Sequence, residues 1–117
     1  MARLTPELHQ IIRWLRKYHP VVHPTLVVLS AKMDGDYLGL TELRHEKVLM
    51  IRLRPTLPAI ELRETLLHEW AHCLSWLDQN IAKSQVDHDS VFSAAYQGLI
   101  EHFEEDFPWL SLRAHRV

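Results

Sequence analysis

The segment HEWAH, His68 to His72, sets two imidazoles four residues apart with a carboxylate directly after the first. On a helix such residues lie on adjacent turns, about 40° apart in projection, so both rings can aim a nitrogen at one point. Two imidazoles on a rigid element suit Zn²⁺, and Glu69 is then placed to act on a water held by the metal. Zinc with three protein ligands keeps a position open and lowers the pKa of the water there to about 7. A carboxylate that takes the proton of that water and passes it to a leaving amine makes an amide bond attackable. The bland alternative is a pair of helix histidines hydrogen-bonded within a core.

A third ligand is needed, and the chain offers three candidates. Asp78 has the metzincin spacing, six residues beyond His72, but Ser75 stands where that motif needs glycine. The helical pattern runs on through Ser75, which points Asp78 away. His88 is better placed, at the end of the polar connection DQNIAKSQVDH, where the chain doubles back at the start of the next helix. Glu101, a helical glutamate, is the alternative. On these residues alone His68 and His72 are candidate metal ligands and Glu69 the candidate base, with His88 ahead of Glu101 for the third ligand.

Tyr96, one turn beyond Phe92, could donate to an oxyanion, although an inward tyrosine is also ordinary core. Cys73 reads as packing, and Asp87 and Asp89 as helix caps or partners of the His88 ring. His9, His19, His23, His45, His102 and His115 read as solvated or structural, and the run Glu104 to Asp106 as a solvated face.

The elements that must position these groups follow from periodicity. TPELHQIIRWLRKY opens with a Thr5 cap and Pro6 in the first turn, and Leu8, Ile11, Ile12 and Leu15 mark one helical face ended by Pro20 and Pro24. TLVVLSA, YLGLTEL and KVLMIRL read as three strands of a small sheet, the last two joined by a turn at Arg44 to Glu46. From Pro58 to Asp78 nothing breaks a helical pattern that is apolar on most sides, so this helix is central and buried. DSVFSAAYQGLIEHFEE is a further helix, with Phe92, Ala95, Tyr96, Leu99 and Phe103 inward. The expected class is α+β in one domain spanning 1–117.

Composition bounds the rest. The 117 residues suffice for one core, and a net charge of -2 gives no general pull toward phosphate backbones or anionic lipid. The single cysteine excludes an internal disulfide, and no apolar run has the length of a signal peptide or a membrane span. These features lead us to expect a soluble, cytoplasmic protein that does not enter membranes, and they suit a phage-encoded or virion-associated protein equally.

The pattern HEWAH, a gap, then HDSVF resembles the SprT-like metalloproteases and the related WLM and YgjP-type zincins. Roughly residues 25–105 fit their helix-and-small-sheet layout. The likeness implies a zincin-like fold, zinc on His68, His72 and His88, and Glu69 as general base. It further implies a protein or peptide substrate laid along KVLMIRL as a sheet edge. Longer members carry a cysteine-rich zinc ribbon, and FPWLSLRAHRV holds no cysteine, so the expectation is of the catalytic core. Nucleic acid enters only by this analogy and by the basic end LRAHRV. The expected activity is that of a zinc metallopeptidase, an endopeptidase in preference to an exopeptidase. A non-catalytic protein that zinc merely stabilises is the alternative.

Overall fold

In the computed structural model, which describes residues 3–33, 35–76 and 90–110, helix α1 runs Pro6–Tyr18. Its start is the expected one: Thr5 is extended, and its Oγ1 accepts the Leu8 N–H at 3.2 Å ahead of the proline-led first turn. Leu8, Ile11, Ile12, Trp14 and Leu15 turn inward.

Strands β1 (Thr25–Leu29), β2 (Gly39–Arg44) and β3 (Val48–Leu53) form one mixed sheet in the order β1-β3-β2. β1 runs parallel to β3, with Val27 opposite Ile51, and β2 antiparallel to it, with Thr41 opposite Ile51. Two strands are shorter than the apolar runs suggest, because β3 stops at Leu53. Ser30 still donates to the Leu53 carbonyl at 2.9 Å, and Leu38 accepts from Arg54 at 3.1 Å, but the ladder ends there.

One expectation is overturned. KVLMIRL is the central strand, paired on both sides, so it cannot take an added peptide strand. The tight hairpin fixes β2 on one side of β3, and parallel pairing with β1 fills the other. Among the described residues, the edges are β1 and β2. The hairpin turn itself is unusual in composition: His45 and Glu46 take φ values of 54° and 58°, the left-handed pair that hairpins normally assign to asparagine and glycine. The stretch before β2 is clasped by Arg54, whose Nη2 donates to the Gly35 carbonyl at 2.6 Å and whose Nε donates to the Tyr37 carbonyl.

With a side-chain period of two, register sets the inner face of the sheet: Thr25, Val27 and Leu29 on β1, Leu49, Ile51 and Leu53 on β3, and Gly39, Thr41 and Leu43 on β2. Helix α2, Ala59–Leu74, packs on β2 and β3 and also against helix α3, Ser90–Asp106, which a 3₁₀ turn at Pro108–Leu110 follows. Leu66, Leu67 and Trp70 of α2 and Leu99 and Phe103 of α3 belong to the same fully buried core. The side chain of Arg63 is buried as well, its Nη1 2.9 Å from Glu7 Oε2 of α1. Ile60 and Leu74 of α2 are partly covered. α2 also stops short of the expected Asp78: at Ser75 the backbone leaves the helix, and the Ser75 hydroxyl donates to the Ala71 carbonyl at 2.9 Å. Asp78 lies outside the described residues. Among those residues no helix is long and apolar enough to cross a membrane.

A polar chain ties α1 to α3. Asp106 Oδ2 accepts from Trp14 Nε1 at 2.7 Å and lies 3.1 Å from His102 Nε2, while His102 Nδ1 is 2.7 Å from His19 Nε2. A carboxylate only accepts, so with both rings neutral His102 carries its proton on Nε2 and His19 donates to its Nδ1. Asp106 is exposed, as expected of that run, and its carboxylate also anchors this network. Burial, and then the neighbouring His102, hold His19 below the usual 6.5, with Asp106 opposing. Once pH falls below about 6.5 the unfolded chain takes up this proton before the folded one does, so stability is lost with acidification and retained above. Urea midpoints followed from pH 7.5 to 5 should fall for the wild type, and His19→Gln should flatten that slope.

Candidate functional site

The histidine pair sits where the helical spacing demands. His68 and His72, both half-buried on α2, face each other edge to face with their Nε2 atoms 3.2 Å apart. A carboxylate oxygen of Glu69 completes a group whose candidate ligand atoms all lie within 4.8 Å of one another. Nitrogens bound at about 2.0–2.1 Å in a tetrahedron are about 3.3–3.4 Å apart, so the two imidazoles already stand at the separation that a shared zinc ion requires. The same distance also permits a hydrogen bond between the rings, with one nitrogen protonated.

Glu69 is turned toward the sheet. It is 7% exposed, and Thr41 on β2 donates from Oγ1 to its Oε1 at 2.6 Å. The contact needs α2 and β2 to lie close together, and position 39 shows how close. A Cβ on Gly39 would come within 2.6 Å of Thr65 Cγ2 and 3.1 Å of Glu69 Cγ, both on α2. Cys73, one turn beyond Glu69 and buried, completes this face. Burial and then the Glu69 charge push its thiol up to about 12, with a hydrogen bond to Thr41 acting the other way, so it stays protonated at neutral pH.

Helix α3 supplies an aromatic wall. The Phe92 ring stacks on His72 with centroids 4.3 Å apart and meets His68 at 5.1 Å, while the Tyr96 ring lies 5.4 Å from His68. Phe92 is buried and Tyr96 half-buried, and burial raises the Tyr96 hydroxyl above its ordinary pKa, which keeps it a donor. These contacts restrict how far either imidazole can rotate.

Of the residues singled out in the sequence, His68, Glu69 and His72 are brought together, with Phe92 and Tyr96 against them. Glu101 is exposed on α3, accepts from Gln97 Nε2 at 3.3 Å, and is not in the group. His88, with Asp87 and Asp89, lies outside the described residues. Thr41 and Gly39 were not anticipated. A glycine inside a strand pattern is itself a signal of close backbone approach, and it marks the right strand here. No protein-family model, curated protein or solved structure matches the chain.

Two glycines make a matched test of the α2–β2 approach. Gly39→Ala should destabilise the fold by about 1–3 kcal/mol through overpacking, whereas Gly98→Ala, where an added Cβ meets nothing within 4 Å, should stabilise it by about 0.5–1 kcal/mol as a helix-interior glycine replacement. Denaturation midpoints of the two variants should therefore move in opposite directions.

Proposed function

We propose that the chain is a zinc-dependent metallopeptidase of the SprT-like, zincin kind, cutting within extended segments of protein substrates. The observation that carries this reading is the pair of Nε2 atoms 3.2 Å apart with a buried carboxylate from the same helix beside them. A core pair of histidines needs no buried glutamate next to it, and a purely structural metal site has no use for a base.

In this reading His68, His72 and His88 hold the ion. Bound there, zinc would acidify a water and polarise the carbonyl to be attacked. The protein's own residues do the remaining work. Glu69 accepts a proton from the attacking water and returns it to the departing amine nitrogen, so that one carboxylate serves both halves of the reaction. Tyr96, kept protonated by burial, is the donor beside His68 that can meet charge developing on the carbonyl oxygen. Phe92 fixes the plane of His72 and keeps water from that side of the ring.

The substrate edge moves from β3 to β2. β2 has one side paired to β3 and its other side open among the described residues, and it carries Thr41, which touches Glu69. An extended peptide added there through main-chain hydrogen bonds would pass the carboxylate without needing a free terminus, which favours internal cleavage.

The apolar core closes without the histidines, and this supports a catalytic over a structural role for metal. Chelation should abolish hydrolysis of an unfolded protein such as casein while leaving the far-ultraviolet circular dichroism unchanged. Loss of the fold on chelation would instead assign the metal a structural role. Glu69→Gln should keep stoichiometric zinc and lose at least about 10²-fold in turnover, and unchanged turnover would remove Glu69 from its role. Metal analysis should find zinc lost from His72→Ala and from His88→Ala. Full zinc content in the latter would exclude His88 as the third ligand.

A further inference from the structure

Glu69 is the one carboxylate among the buried polar residues described, and a buried carboxylate needs donors to hold it. At 2.6 Å the Thr41 bond has the length of a charge-assisted O–H···O⁻ contact. The Thr41 hydroxyl is the donor and the Glu69 oxygen the acceptor. Thr41 is also an unusually rigid donor. Its backbone is fixed by the ladder opposite Ile51, and its branched Cβ restricts χ1. Cys73, one turn beyond Glu69 on α2, is buried on the same side of the helix. Two residues earlier on the same face, Gly39 leaves the slot through which the Glu69 side chain reaches β2.

We propose that Thr41 is a positioning residue whose hydroxyl sets the rotation of the Glu69 carboxylate relative to His68 and His72. The proposal rests on Glu69 being the general base. It explains why a strand residue distant in sequence touches the catalytic helix at its one buried acid. Without the Thr41 hydroxyl the carboxylate loses its bond at Oε1, is oriented less tightly, and meets its proton in the productive orientation less often.

The test uses the full chain with Thr41→Val, which keeps the shape and removes the donor, and Thr41→Ser, which keeps the donor. With zinc loaded and casein as substrate, Thr41→Val should lower kcat about tenfold or more with KM within twofold and zinc content unchanged. Thr41→Ser should recover most of the loss. A role confined to packing predicts the reverse order, because valine fills the space better than serine does. Independently of turnover, a double-mutant cycle on the metal-free protein combines Thr41→Val with Glu69→Leu. The unfolding constant should show a coupling of about tenfold between the two sites, and should Thr41→Val fail to fold, Thr41→Ala takes its place in the cycle. Additive effects, or wild-type kcat in Thr41→Val, would overturn the proposal. A wild type that binds zinc and cleaves nothing would overturn the peptidase reading instead, with the cycle still deciding whether Thr41 holds Glu69.

Discussion

The arrangement depends on how closely helix α2 lies on strand β2. The two elements approach until position 39 has no room for a side chain, and that proximity lets a strand hydroxyl reach a helix carboxylate. The approach is maintained from below by the alternation of the sheet, which turns Leu49, Ile51 and Leu53 of β3 into the same helix. The apolar burial is non-directional, whereas the Thr41–Glu69 bond is directional. Burial supplies most of the attraction, and the hydrogen bond adds direction to it.

The histidines occupy a different flank of α2 and are held by different means. Among the described residues the α3 aromatics pack on both rings, with Phe92 flat against one and tilted to the other. Among the described residues the candidate site draws on three elements: α2 carries His68, Glu69 and His72, a β2 hydroxyl bonds the acid, and α3 rings pack on the imidazoles. Groups borne on regular elements and braced by neighbours keep their geometry better than groups on loops.

Much of this was legible in the sequence, for reasons that differ from residue to residue. Thr5 and Pro6 announce α1 because capping is chemistry within a few residues. Phe92, Leu99 and Phe103 were identifiable as inward because helical periodicity is local. The order of the strands was not legible, since KVLMIRL has the same alternation at a sheet edge or in its middle, and only pairing decides between them. Nor was the stop at Ser75, where a hydroxyl bonding back to Ala71 accompanies the break in a pattern of good helix formers. The His19–His102–Asp106 chain joins residues 83 positions apart at its longest link, beyond the reach of any window. Thr41 was hidden for the same reason, although the glycine two places before it carried a readable hint.

The two left-handed residues that close the hairpin bear on how the molecule forms. A turn built from His45 and Glu46 has no intrinsic preference for that shape, since each carries a side chain where glycine would be strain-free. The hairpin therefore makes a poor nucleus for folding. The strand it leads into is fully covered at Leu49, Ile51 and Leu53, and that burial offsets the strain of the turn. The shape of the turn is therefore held by the pairing of β2 with β3 and by the helix packed on both strands, not by the turn residues themselves.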